Sequence, residues 1–497
     1  MKLKLTLLSA ILSFSFVSSA SDYYWVGGTG NWSDFANHWA TSSGGGSFHT
    51  QVPQTTDNVF FDANSFNASN QVVTVDQAVV SFRNMDWTGT ANDPKLFALT
   101  GNRFMIYGSL TLIPGMTAFF SGEIRFEGTT TGQTITLGGK TLSIAIFNGI
   151  GGGWTFQDTF NSSIIILNHG SLNTNSQTVN AGFLSNTTAT VRSLTMGSTV
   201  FTSNGWTITD KTNFTLDAGT SNILVNGTMS VGGLIFHNAK ITSTLTGAGG
   251  NFFNEAEFTG SNSSIQSNNT FNILKISSGA TVGGNNTINN LILSPGFVYS
   301  FNTGTVQTFN SLQANGDCNN LITLKSSSPP GQASFVKTSG SVTASYISLQ
   351  GIAATGGAIF TANNSINLGS NSGWIINSPA SQNLYWIGGT GNWNDGNHWS
   401  TSSGGSPLGC SPTLQDNVFF DANSFTATNQ TVLVNQPIIS FNNMDWSGVT
   451  NNPKLAATTG YKAKVYGSLT FTAGMSADPF GEFNFEATTT GHTITQA

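Results

Sequence analysis

Charge is what this sequence has least of. Asp, Glu, Lys and Arg make up 8% of its 497 residues, against roughly 25% in an ordinary globular domain. The net charge of −6 is thinly spread. There is no basic patch and no run of like charge, so neither nucleic acid nor an anionic membrane surface is indicated as a partner. Long apolar runs are missing as well: beyond the first residues, no segment reaches the roughly 18 uninterrupted apolar residues of a membrane-spanning helix. Cysteine occurs only at Cys318 and Cys410. The two could pair in an oxidising compartment, but neither follows the N-terminal apolar stretch, which argues against a bacterial lipoprotein anchor.

Asn, Thr and Ser stand where Lys and Glu normally would, and Gly (57) and Phe (37) are both abundant. Disordered chains lack β-branched and aromatic residues to bury, whereas this one alternates them with polar residues throughout and therefore reads as folded and extended. Its start, MKLKLTLLSAILSFSFVSSA, places Lys2 and Lys4 before an apolar stretch from Leu5 to Val17, then Ser18 and Ala20. That is the layout of a cleavable secretory signal over residues 1–20. The expected location is secreted or cell-surface.

One passage is written twice. YWVGGTGNWSDFANHW from Tyr24 returns as YWIGGTGNWNDGNHW from Tyr385, and DNVFFDANSF from Asp57 returns from Asp416. NMDW from Asn84 returns from Asn443, and YGSLT from Tyr107 returns from Tyr466. The offset is 361 at the first tryptophans (386 − 25) and 359 from the aspartates onward (421 − 62). Between the copies runs a shorter rhythm of apolar strands that end in Gly or a polar turn. Its anchors are Leu216, Phe236, Phe258, Ile276, Leu293 and Ala314, separated by 20, 22, 18, 17 and 21 residues by subtraction. Recurrence near 20 residues without helical periodicity predicts a solenoid.

The fold class expected is all-β, a right-handed parallel β-helix with an N-terminal capping segment, followed by the start of a second similar unit. Phe271, Ile288 and Phe309 should stack inside, and Asn272, Asn289 and Asn310 should form an external ladder. The cap and first coils are assigned to residues 21–137, the coils to 138–378, and a second cap with its first coils to 379–497. A solenoid leaves unpaired backbone at its ends and normally covers it with an atypical cap; the tryptophan segment sits where such a cap belongs.

The words YWVGGTGNWSDFANHWATSSGG, DNVFFDANSF, NMDWTG, YGSLTL and FNGIGGGWTFQD resemble those of very large secreted or surface proteins of Gram-negative bacteria. The WxGGxGNW opening is similar to the segment that begins β-helical passenger regions of autotransporter-type adhesins. The resemblance implies a β-helical stalk or adhesin-like module, often in proteins with a C-terminal sorting domain or membrane anchor. No such domain is read here. The second unit, stopping just past Thr495, which aligns with Thr136, reads as part of a longer chain.

Side chains suited to catalysis are sparse. Glu123 and Glu127, repeated as Glu482 and Glu486, lie about 13 Å apart along an extended strand. That is wider than the approximately 5–9.5 Å between the carboxyl groups of most glycosidases, and Arg125 between them suggests a surface ion pair. No enzyme, cofactor or resident metal is expected. His38 and His398, beside Asp34 and Asp395, lack the further histidines that a metal centre would want. Asp57, Asp62 and Asn64 could hold calcium but match no calcium loop, and turn formation accounts for them. Trp25, Trp32, Trp39, Trp386, Trp393 and Trp399 could stack on a ligand, with a glycan on an extracellular surface as the candidate partner. The alternative is that these indoles form a lid over the first coil of each unit.

Overall fold

A short strand that alternates apolar and polar residues has one face to bury and two edges of backbone N–H and C=O groups to satisfy. In the computed structural model, which describes residues 20–477 and 481–496, stacking meets both needs. Strands pair in parallel with strands one turn onward, helix amounts to 1%, and the result is a β-solenoid of about 20 turns, not a barrel. Apart from Ala20, the segment read as an export signal lies outside the described residues. The chain divides into two compact units, Met1–Ala256 and Glu257–Ala497, so the coils assigned to 138–378 are shared between them.

The first unit opens with the antiparallel pair Asp22–Trp25 and Trp39–Ala40, which sets Trp25 opposite Trp39. Parallel stacking then carries Val59 onto Met85, Met85 onto Leu110 and Leu110 onto Ile135. These turns take 26, 25 and 25 residues by subtraction and have three faces each. From Thr141–Phe147 onward one longer strand replaces two of the faces. The step from Ile135 to Phe156 is then 21 residues (156 − 135), and that from Asn222 to Asn238 is 16 (238 − 222). Turn length is therefore not constant: it falls to 16 within the first unit, while in the second unit it is 17 from Phe271 to Ile288 (288 − 271) and 25 from Tyr299 to Leu324 (324 − 299). Leu216 lies against Leu194 in a strand that ends its sheet, whereas Phe236 belongs to a different sheet.

In the second unit, the stacking expected around Phe271 is present. Phe271 pairs with Ile288 and Ile288 with Phe309, and all are buried. Outside, Asn289 Nδ2 donates to Asn272 Oδ1 at 3.0 Å and Asn310 Nδ2 to Asn289 Oδ1 at 2.9 Å. Amides repeated at one place on successive turns thus hydrogen-bond along the stack, as in cross-β ladders. After Trp374–Asn377 the second cap begins with Asn383–Trp386, again antiparallel to Trp399–Ser400. Val418, Met444, Leu469 and Ile494 then stack at steps of 26, 25 and 25 by subtraction, the same spacing as in the first copy.

A narrow apolar interior tolerates a charge only with full hydrogen bonding. Among the described residues the buried charged side chains are Asp57, Arg192 and Asp416. Arg192 reaches the carbonyls of Thr190 and Thr212 at 2.5 and 2.8 Å and also bonds Asn186 Oδ1 and the Asp210 carbonyl. Burial holds its guanidinium below its ordinary pKa, partly offset by the Asp210 charge.

Candidate functional site

Three indoles per copy form the centre of each cap. Trp39 stands edge-on to Trp25 and Trp32 at ring-centroid distances of 5.0 and 4.8 Å; Trp399 does the same to Trp386 and Trp393 at 5.1 and 4.9 Å. Beneath them Phe61 stacks on Trp87 at 3.8 Å, and Phe420 on Trp446 at 3.8 Å. Edge-to-face and offset stacking at these distances are the favoured aromatic geometries. Trp25 Nε1 donates to Gly28 O at 2.8 Å and Trp39 Nε1 to Trp32 O at 2.9 Å, with counterparts of 2.7 and 2.8 Å in the second copy. The Trp32 and Trp393 N–H groups have no hydrogen-bond acceptor, so ring contacts hold those two side chains.

All six indoles are 0% exposed. None offers a face to a ligand, and a sugar reaching one would have to displace the core. Their burial favours the lid over the stacking role, with the indoles covering the first coil of each repeated copy.

The histidine and glycines of the repeated words have a geometric explanation. His38 lies flat on Trp25, with ring centroids 4.6 Å apart, and its Nδ1 is 2.7 Å from Val26 O. His398 repeats both contacts at 4.8 and 2.8 Å. A Cβ on Gly30 would fall 1.9 Å from His38 Nε2, and one on Gly391 would fall 2.0 Å from His398 Nε2. The third glycine of WxGGxGNW is thus the space that the histidine ring fills. Asp34 instead accepts from its neighbour Asn37 at 2.9 and 3.0 Å, while Asp395 approaches His398 at 3.9 Å.

The oxygen-rich DNVFFDANS words make turns. Asp57, buried, accepts from Ser21 N at 3.0 Å and Gln54 N at 2.8 Å, tying the first strand to the coil below. Asp416 does the same with Gln382 N and Thr413 N at 2.9 and 2.7 Å. Asp62 accepts from Asn64 N at 2.9 Å, as Asp421 does from Asn423 N. The bonds of Asp62 and Asp421, each to the backbone two residues on, are Asx turns. Among the described residues no group of three or more His, Cys, Asp and Glu could hold a metal ion.

Glu123 pairs with Arg103 at 2.9 Å and sits 3.7 Å from Arg125, which is 3.9 Å from Glu127. In the second copy Asn484 replaces Arg125, and Lys462 and Lys464 take Glu482 and Glu486 at 2.7 and 3.4 Å. The carboxylates therefore serve a ladder of surface ion pairs.

Cys318 and Cys410 are joined, their Cα atoms 5.5 Å apart. Beside the bond, Asn319 Nδ2 donates to Gly409 O at 2.7 Å and Asn319 Oδ1 accepts from Ser411 N at 3.1 Å. This clasp fastens the second cap to a coil that precedes it in the chain. The role of Asn319 carries no motif in the sequence; the presence of a cysteine in the second copy only was its one signal. No protein-family model, curated protein or solved structure matches this chain.

Proposed function

We propose that the protein is a secreted or cell-surface structural module, an adhesin-like β-solenoid without catalytic activity, in which each tryptophan cap starts a new stack of coils. The observation that carries this reading is the duplication of the cap in three dimensions: the same indole cluster, histidine wedge and buried aspartate begin both stacks, followed by turns of equal length. A device repeated at the head of each stack serves construction, and a chain with few charges on its exterior suits contact with neutral surfaces. Surface labelling and protease shaving of intact producing cells test the location; retention of the protein inside the cell would overturn it. Small-angle scattering of residues 21–497 tests the scaffold role. Constant dimensions from low to high salt are expected of a spacer, and dimensions that change with salt would count against one.

A further inference from the structure

We propose that the first unit carries a binding groove for an extended, uncharged glycan, with Phe183 as its stacking platform. This deepens the adhesive part of the reading above and rests on it.

The groove follows from a fault in the strand alternation. In Thr141–Phe147, Phe160–Leu167, Val179–Asn186 and Val200–Ile208, an inward residue (Leu142, Ser162, Ala181, Ser203) is followed by two that do not point inward. The alternation resumes inward at Ala145, Ile165, Leu184 and Trp206. One extra residue bends each strand, and because the strands are stacked in register, the bends align into a concavity of about 610 Å³ that crosses the turns.

One wall is a column of Thr141, Asn161, Asn180 and Thr202, paired turn on turn. Asn180 Nδ2 donates to Asn161 Oδ1 at 2.9 Å, which fixes the plane of both amides. The opposite wall presents Ile164 and Phe183. Phe183 is 53% exposed, yet its ring is seated: a Cβ on Gly205, its partner on the next turn, would lie 2.7 Å from Phe183 Cδ1. The glycine leaves room for the ring to lie across the turn.

No charged side chain lines the groove. A sugar ring has an apolar C–H face and a rim of hydroxyls, and it is matched by a seated aromatic ring facing fixed amides and hydroxyls. An acidic polymer would find no cation. Three strand intervals span about 14 Å, the scale of a short oligosaccharide. The second unit has a groove of about 570 Å³ that includes Phe297, Ser278 and Thr281, but it also contains Lys325 and is a poorer match for a neutral ligand.

Affinity electrophoresis of the secreted chain in gels containing laminarin, mannan, xyloglucan or dextran, with pectate and hyaluronate as acidic comparators, tests the proposal. Retardation is expected in at least one neutral gel, insensitive to salt. It should weaken about tenfold in Phe183→Ala, the loss of one aromatic contact, and persist in Phe183→Trp. Gly205→Val, which displaces the ring without removing it, should weaken it as well, and each variant should melt as the parent does. No retardation in any neutral gel, equal retardation of parent and Phe183→Ala, or salt-sensitive binding to the acidic gels alone would each overturn the groove. None of those results bears on the location or scattering tests, so a failed groove is distinguishable from a failed scaffold.

Discussion

In the first cap, the segment that returns after Trp39 is held by rings. His49 stacks on Tyr23 with centroids 3.6 Å apart, its Nε2 is 3.1 Å from Asp22 O, and Phe48 bridges to Ala40. In the second cap Leu384 occupies the place of Tyr23, Leu408 N donates to Trp399 O at 2.7 Å as His49 N does to Trp39 O at 3.0 Å, and the segment ends in the Cys318–Cys410 bond. The indole cluster beneath is the same in both. What differs is the fastening, and it differs where the cap meets the rest of the molecule. The buried core of a cap is constrained by the coil it must cover, whereas its outer strap is free to be rebuilt for its surroundings.

If the cores are equivalent, removing the central indole should cost the same in each. Trp39→Ala and Trp399→Ala should each destabilise their own cap by about 3–5 kcal/mol, read by chemical denaturation with hydrogen exchange resolved by segment. Protection should fall at 22–87 in one variant and 383–446 in the other. A much smaller loss in Trp399→Ala would mean that the clasp, not the indoles, holds the second cap.

The clasp is the next largest difference. Its cysteines are 92 residues apart, and disulfides typically contribute about 2–4 kcal/mol, more as the closed loop lengthens. Reduction, or Cys318→Ser with Cys410→Ser, should speed exchange around 383–416 and leave 22–57 as before. Equal effects on the two caps would erase the distinction drawn between them.

Gly30→Ala and Gly391→Ala sharpen the shared part of the comparison. Each drives a methyl group into a histidine that is stacked on tryptophan and bonded to a carbonyl, at a cost of about 1–3 kcal/mol. Most of this should be recovered when His38→Ala or His398→Ala is added. A double variant no better than the glycine variant would show that the histidine is not what excludes the methyl.

Much of this organisation is legible in the sequence. Aligned words gave the duplicate cap, and the alternation at NTFNILKIS and NTINNLILS gave the Phe271–Ile288 register and the asparagine ladder, because equal spacing makes equal positions stack. The variation in turn length was not legible: whether two faces are separate strands or one continuous strand with a bend, as at Thr141–Phe147, depends on the length of the corner between them, and 25-residue and 16-residue turns use the same residue types. The groove was hidden for a related reason. A single extra outward residue at Ser163 or Gly182 means nothing in one strand and becomes a concavity only when neighbouring strands bend at the same place. The tryptophans were visible as a cluster, but composition does not tell a lid from a ligand platform; burial does.

The smallest difference between the caps is a ring that one of them lacks. Tyr23→Leu makes the first strap resemble the second and should cost about 0.5–1.5 kcal/mol through loss of the His49 stack. It should also alter the response to alkali. Burial pushes the Tyr23 phenol above its ordinary pKa, and the nearby Asp57 charge adds to the effect. The folded form therefore keeps a proton that the unfolded chain gives up, so the contribution of Tyr23 is intact below about pH 10 and is lost as pH rises through the tyrosine range. Tyr107 and Tyr466, both raised by burial, occupy matching places in the two copies and do not distinguish them. Segment-resolved exchange on a rising pH series should show the first cap loosening before the second, with Tyr23→Leu removing the lead. If both caps loosen together in the parent, ring stacking is not what secures the first strap.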